Sequence, residues 1–408
     1  MAYKGIDYLR AKLSNKRDRV LLRYKYYDMK SAFENPSKLI PPIFKQIQPV
    51  LGWCAKGVDS IADRLVFDGF KNDNFLLEQI FDMNSKDIFF DDAVLSALIS
   101  SCCFVYISEG KGGEPRLQVI DGSDATGELD PITKMLTEGY AVLERDDYGN
   151  ITTEAYFVPG ATYIYRAKQK APEVFTNNNV PYAALVPIIY RPDAKRPFGH
   201  SRISRAAMEL TQEALRTQLR FEVASEFYSF PQKYILGLDP KALFDNDEDK
   251  VKAYMTSILQ ISKDDDGDKP TVGQFQQATM TPYNDSMKNI ASLFAGEMGL
   301  TLDDLGYSTA NPATAEAIAA SHETLRLTAR KAQRTFGAGF LNVGYLAACI
   351  RDKRPYDRSV FYETEPRWAP LFEPSASQLG GIGDAIAKLR ESFPDYFDEE
   401  KLHRLTGL

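Results

Sequence analysis

The sequence predicts an α+β protein, and three observations predict it. Apolar residues recur at helical spacing through roughly the first ninety positions, short β-type segments separated by turn residues fill 103–191, and long stretches free of Gly and Pro follow. A chain of 408 residues allows roughly two to three domains. With 44% hydrophobic and 26% charged residues, its composition is that of a packed globular protein.

Taken in order, Trp53, Val58, Ile61, Ala62 and Leu65 form a helical stripe that is expected to end at Asp68-Gly69-Phe70. Further helices are predicted at Asn74 to Met83 and at Asp91 to Ser100. The chain then turns to period two at Cys102-Cys103-Phe104-Val105-Tyr106-Ile107, whose aromatic and β-branched residues suit a strand. Strands are predicted at Arg116 to Ile120, Tyr140 to Arg145, Thr152 to Val158, Thr162 to Arg166 and Val186 to Tyr190, punctuated by Gly112-Gly113, Asp130-Pro131, Tyr148-Gly149-Asn150 and Pro159-Gly160. Ser201 stands where it can cap a long helix, Arg202 to Phe227, which Pro231 stops. A strand at Lys233 to Leu236, a helix at Glu248 to Leu259, a strand at Ile258 to Ser262 and a hairpin tip at Asp264 to Asp268 make a small excursion that closes near Pro282. Met287, Ile290, Ala291, Phe294 and Met298 then mark one face of a helix that ends at Gly299. Asn311-Pro312 is a helix start, because Pro at the first helical position gives up an N–H that has no partner there anyway. From Ala313 to Thr335 nothing interrupts the helix, while Gly337, Gly339 and Gly344 predict a bend in its continuation to Ile350. Pro355, Pro366, Pro370 and Pro374 mark a linker, followed by two short helices at Asp384 to Arg390 and Glu399 to Leu405.

The residues offer little chemistry. His322 precedes Glu323, but position 326 is Arg where a zinc-binding helix needs a second His, and neither His200 nor His403 has a nucleophile beside it. The acidic turn at Asp264, Asp265, Asp266 and Asp268 fails the calcium-loop pattern, since the twelfth position is Gly273 instead of a bidentate Glu. No enzyme activity, metal or cofactor is therefore expected. Cys54, Cys102, Cys103 and Cys349 fit no ligand spacing and read as core thiols in a reducing compartment. The longest apolar run, Ala93 to Ile107, contains three Ser and falls short of the roughly 20 residues a membrane span needs. Met1 to Asn15 lacks the apolar core of a secretory leader, so the expectation is a protein made and kept inside a cell. A net charge of −7 speaks against a surface that grips nucleic acid or anionic lipid. The one basic cluster is the stripe Arg326, Arg330 and Arg334, with Lys331 beside it. It reads as a solvated or subunit-pairing face in preference to a phosphate contact, since no aromatic residues interleave to stack bases.

Three pieces in a fixed order carry a resemblance. Gly57-Val-Asp59 runs through Arg64-Leu65 to Gly69-Phe70; Pro187-Ile188-Ile189 precedes Gly199-His-Ser201-Arg-Ile203 at the mouth of a long helix; Asn311-Pro312-Ala-Thr314-Ala-Glu316-Ala317-Ile318 opens another. In these the chain resembles the portal proteins of tailed bacteriophages, over about 50 to 350. The resemblance implies a subunit of a ring, typically of twelve copies, at one capsid vertex, through which DNA is packaged and ejected. It implies an α/β wing (1–200 and 313–372), paired long stem helices (201–230 and 284–299), a small α/β clip (231–283), a tunnel-loop region (300–312) before the long bent helix, and a short helical crown (373–408). The candidate tunnel loop is Tyr307, Ser308, Thr309, Ala310 and Asn311. The candidate clip tip for partner docking is Asp264, Asp265, Asp266 and Asp268, and the candidate subunit-contact or DNA-facing stripe is Arg326, Arg330 and Arg334.

The partners that follow from the resemblance are further copies of the chain, the terminase large subunit, the major capsid or scaffolding protein, a head-completion adaptor and the passing duplex. No membrane is expected. The implied location is the portal vertex of the virion, with the host cytoplasm during assembly. Twelve chains of −7 each carry a formal charge of −84. Channel-facing positions are therefore expected to be acidic or neutral, so that contacts with moving DNA stay weak. The alternative is a ring-forming phage adaptor or scaffold that transports nothing.

Overall fold

The computed structural model describes residues 3–34, 47–229, 233–236, 271–274, 279–307, 320–371 and 376–392. The chain divides into two compact units: Met1–Lys30 with Gly52–Met208 and Glu297–Leu408, and Ser31–Leu51 with Glu209–Gly296. Both mix helix and strand, as the sequence predicts.

The larger unit begins with α1 (Ile6–Tyr27), α2 (Trp53–Ala62), β1 (Phe67–Lys71), α3 (Leu77–Asp82) and α4 (Lys86–Ser100). Asp68-Gly69-Phe70, expected to close a helix, lies inside β1. There Gly69 takes a positive φ of 107° beside an irregularity in the pairing. Eight strands follow: β2 (Cys102–Glu109), β3 (Pro115–Ile120), β4 (Ala125–Leu129), β5 (Leu136–Arg145), β6 (Ile151–Val158), β7 (Ala161–Arg166), β8 (Glu173–Thr176) and β9 (Leu185–Ile189). They form a five-stranded sheet in the order β4-β5-β6-β7-β8 and a three-stranded sheet in the order β3-β2-β9, antiparallel throughout. Both sheets send side chains into one core: Phe104, Ile120 and Leu185 meet Ala125, Leu136, Ala155 and Phe157. The sequence reading has no counterpart for β4 and β8.

Helix α1 lies on the five-stranded sheet, with Leu9 and Leu13 packed against Tyr140 and Val142. Its first turn needs acceptors for unpaired N–H groups. Glu138, only 2% exposed, supplies them by accepting from Lys4 N at 2.9 Å, Gly5 N at 3.1 Å and the Tyr156 hydroxyl at 2.9 Å. A carboxylate at this end also opposes the positive pole of the helix dipole.

The larger unit also holds α7 (Glu323–Arg351) and β12 (Glu365–Trp368), which pairs antiparallel with β1. The second half of α7 is buried on almost every side from Phe336 to Ile350, which makes it the central helix. Phe340 joins Phe67, Phe89, Phe90 and Trp368 in an aromatic cluster with centroids 4.3–6.2 Å apart. The helix runs without interruption through Gly337, Gly339 and Gly344. They are places of close approach: an added Cβ would meet Pro366 at 2.8 Å, Ile188 at 2.7 Å and Leu77 at 2.9 Å. Strand β12 lies in the stretch read as a linker. Pro366 fits because the two-stranded pair has only edges. Beyond it, α8 (Ala376–Ser392) covers the first of the two expected C-terminal helices, while Glu399 to Leu405 lies outside the described residues.

Two helices have most of their length in the smaller unit: α5 (Arg205–Ser229) and α6 (Thr281–Met298). Phe221 and Tyr283 meet edge to face with centroids 6.3 Å apart. Gln212 reaches Ala32 O and accepts from Glu34 N at 3.1 Å, fixing the 31–34 segment of the same unit. Strand β10 (Lys233–Leu236) pairs with β11 (Thr271–Gln274), a partner the sequence reading lacks; the expected helix and hairpin between them lie outside the described residues.

Replacing Glu138 by Ala leaves two N–H groups and a phenol without their acceptor, at a cost of about 1–3 kcal/mol. Glu138→Gln, which keeps a carbonyl acceptor, is expected to lose less. Chemical denaturation, with hydrogen exchange of α1 as the local probe, distinguishes the two. Equal loss in both variants would show that the charge, not the acceptor geometry, matters.

Candidate functional site

Gly199-His-Ser201-Arg-Ile203 is where the described residues converge. The φ of Gly199 is +76°, and a Cβ there would strike Tyr190 O, so the turn tolerates only glycine. Ser201 was expected to cap α5 but does another job. Its hydroxyl donates to Ile99 O at 2.6 Å, and Arg202 N donates to Leu98 O at 2.8 Å, so the pair satisfies two end carbonyls of α4. The cap of α5 is Ser204, whose oxygen accepts from Ala207 N at 3.0 Å while its hydroxyl donates to Glu297 Oε1 at 2.6 Å.

Arg202 is 7% exposed, and its guanidinium reaches backbone carbonyls on two other elements. Nε donates to Gly57 O in α2 at 3.2 Å, and Nη2 donates to Met298 O, the last residue of α6. Burial lowers its pKa from the ordinary arginine value, and the Tyr190 phenol acts in the opposite sense. A guanidinium stays charged even so, and a cation on the final carbonyl of a helix is favoured by the dipole. Gly57 leaves the space that the Met298 methyl occupies, and a Cβ there would displace it. Two motif pieces far apart in the sequence, Gly57-Val-Asp59 and Gly199-His-Ser201-Arg-Ile203, thus touch through one side chain. The sequence reading quoted Arg202 in the motif without a role; its place between a hydroxyl and an apolar residue at a helix mouth was the available signal.

Of the expected tunnel loop, Tyr307 lies among the described residues and Ser308, Thr309, Ala310 and Asn311 lie outside them. Tyr307 is half-buried, and its N–H donates to Leu302 O at 3.1 Å. Burial raises its phenol pKa. The turn before it is built by Asp304, whose carboxylate accepts from both Thr301 N and Thr301 Oγ1 at 2.9 Å. Gly299 lies against the side chain of Thr324, and His322 Nδ1 stands 3.8 Å from Asp304 Oδ2. The segments entering and leaving 308–319 are therefore held side by side. Asp264, Asp265, Asp266 and Asp268 lie outside the described residues.

The basic stripe lies on the exposed face of α7, opposite Leu325, Ala329, Ala332 and Phe336. Arg326 forms a two-pronged pair with Glu323 at 2.7 Å on each prong, and this contact raises its pKa. Arg330, Lys331 and Arg334 are exposed and make no ion pair among the described residues.

The four cysteines are buried and form no disulfide, and burial raises the pKa of Cys103 and Cys349, which holds both as thiols. His200 accepts no role beyond its loop: its Nε2 lies 2.6 Å from Asp193 Oδ2, and Asp193, held below the usual carboxylate range first by His200 and then by the Arg196 N–H, closes the turn at Lys195 and Arg196. No cluster of three or more metal-ligating side chains and no helix able to cross a membrane occurs among the described residues.

Fold and site together define an α+β scaffold, with helix ends bolted at one junction and charged faces left open. Two curated relatives make the class specific: the portal protein of Mycobacterium phage L5, 24% identical over 336 residues, and that of Mycobacterium phage D29, 23% identical over 333. Each alignment covers 77% of this chain and 68% of the relative. They bear out the resemblance to tailed-phage portal proteins that the motifs carry. No protein-family profile matches the chain. Solved chains that resemble it include one in the neck of an empty gene transfer agent particle computed with C6 symmetry, at 12% identity and TM-score 0.48, covering 96% of this chain and 98% of that one. Another lies in the neck of the native particle computed with C12 symmetry, at 12% identity and TM-score 0.46, covering 94% and 99%.

The junction gives a direct test. Arg202→Met removes the donor to two buried carbonyls and is expected to cost about 2–5 kcal/mol of stability. Arg202→Lys keeps the charge but cannot fork, and should recover less than half. Urea unfolding, with hydrogen exchange at α2 and the end of α6 as local readout, measures both. A loss spread evenly over the chain would contradict a local bolt.

Proposed function

We propose that this chain is a phage portal protein. Copies of it form a ring at the capsid vertex that serves as the channel for genome packaging and ejection and as a docking platform for the packaging and head-completion machinery. The observation that carries the reading is the likeness to two phage portal proteins along 77% of the chain.

In finer detail, the reading assigns the larger unit mainly to the wing, α5 and α6 to the stem, and the excursion from 231 to 283 to the clip, with Asp264, Asp265, Asp266 and Asp268 at its docking tip. The tunnel loop is Tyr307 to Asn311, on a base braced by Asp304 and His322, and the crown begins at about 373. The ring has twelve copies, and the partners are the terminase large subunit, which hydrolyses ATP, the major capsid or scaffolding protein, the head-completion adaptor and duplex DNA. The chain itself is no enzyme. It resides at the virion's portal vertex after assembly in the host cytoplasm. What supports the division of labour is physical. A long helix pair tied at one end by a buried cation can transmit displacement, while the open loops can make the short-lived contacts that translocation requires.

Negative-stain microscopy of the purified full chain is expected to show closed rings with a central hole wide enough for a duplex, about 20 Å or more. Rings with a blocked centre would favour the adaptor reading, and particles without rotational symmetry would remove both.

A further inference from the structure

Two exposed helix faces in the larger unit carry the same pattern with opposite charge. On α7, Leu327 is 46% exposed and is followed at the third and fourth positions by Arg330 and Lys331, with Arg334 one turn on. On α4, Ile88 is 66% exposed and is followed at the third and fourth positions by Asp91 and Asp92, with Asp87 just before it. Residues three and four apart share one side of a helix, so each face has an apolar centre with charges on one flank. Asp63 adds a further exposed carboxylate close enough to Asp91 to act on it.

Neither face is neutralised by the described residues of its own chain. Arg326 is closed off by Glu323 and Lys86 by Asp82 at 2.9 Å, but Arg330, Lys331, Arg334, Asp63, Asp87, Asp91 and Asp92 make no ion pair among the described residues. The carboxylates also strain one another: burial and then the charges of Asp87, Asp92 and Asp63 raise the Asp91 pKa. A cationic partner would relieve that repulsion. An apolar centre flanked by charge is the anatomy of a protein contact, whereas a phosphate-tracking surface gains nothing from an exposed Leu at its middle.

We propose that the two faces meet between neighbouring copies of the chain, the α7 face of Leu327, Arg330, Lys331 and Arg334 seating on the α4 face of Ile88, Asp87, Asp91 and Asp92 of the next. The contact is heterologous, using different patches on the two copies, and a repeated contact of that kind makes a ring where its rotation closes on itself. The proposal rests on the portal reading and adds the side chains that select orientation. Charges of this sort steer and orient subunits more than they hold them, while the two apolar centres are dried on contact.

The test uses three forms of the full chain. One reverses the acidic face (Asp87→Lys, Asp91→Lys, Asp92→Lys), one reverses the basic face (Arg330→Glu, Lys331→Glu, Arg334→Glu), and one carries all six changes. Because all six positions are exposed, melting by circular dichroism should match the wild type. By sedimentation velocity and microscopy, each single-face variant alone is expected to need at least about tenfold more protein to assemble. The two variants mixed should form rings of alternating subunits, and the six-fold variant should form rings by itself. Recovery on mixing cannot come from a folding defect.

Four results would overturn the pairing. Unchanged assembly in both single-face variants would remove these faces from the contact and leave the portal reading standing. Unchanged rings with altered retention of duplex DNA by the basic-face variant would assign the stripe to the nucleic acid. Failure alone and in the mixture would show that each face has some other partner. A wild-type chain that stays monomeric at every salt concentration would bring down the ring itself and the pairing with it.

Discussion

One buried cation sets the geometry around it. The Arg202 guanidinium bonds to carbonyls of α2 and α6, the residue's backbone N–H closes the end of α4, and three residues later the chain starts α5. Four helices thereby meet around one residue, two through its side chain and two through its backbone. The arrangement is strict because a charged group in a dry site must satisfy its donors, and unsatisfied carbonyls there would cost several kcal/mol in sum. It also explains two glycines. Gly57 makes room for Met298, and Gly199 turns the chain under Tyr190 O so that Ser201 and Arg202 arrive facing their partners.

What could be read in the sequence follows from this. The α+β class, the five predicted strands in 103–191 and the long helices were legible because periodicity reports one-sided burial, and these elements are buried on one side. Of the strands that the sequence did not reveal, three escaped for separate reasons. Gly127 occupies the middle of β4 because a Cβ would strike Glu138 O, so a close approach resembled a turn. Strand β8 is an edge of four residues with Val174 and Phe175 half-exposed, too short for a pattern. Strand β12 contains Pro366, which reads as a linker until its only partner is known to be β1. The glycines of α7 have a role that periodicity does not report: they are contact points for Pro366, Ile188 and Leu77 on three other elements. Contacts across so many residues leave no local trace.

The site shows the same division. Ser201 and Ser204 both stand at plausible capping positions, and only the location of the α4 carbonyls decides which of them caps α5. Arg202 lay in plain view within a motif, yet nothing local separates a buried arginine from a surface one. The stripe of Arg326, Arg330 and Arg334 was legible as a helix face. That Arg326 is spent on Glu323 while its neighbours stay open required side-chain positions.

Charge and symmetry then constrain the portal reading together. A subunit that meets its neighbours through different faces benefits from being polarised, acidic on one and basic on the other, since like faces then repel and head-to-tail contact is selected. The excess of −7 per chain survives that pairing, because equal charges cancel across each contact and leave the remainder on surfaces turned elsewhere. A duplex surrounded by such a remainder releases few counterions on contact, so its affinity for the wall is low and depends little on salt. Tight binding would raise the barrier to every step along the channel. An acidic chain is therefore compatible with handling DNA when its cations are used on its own neighbours and not on the phosphates.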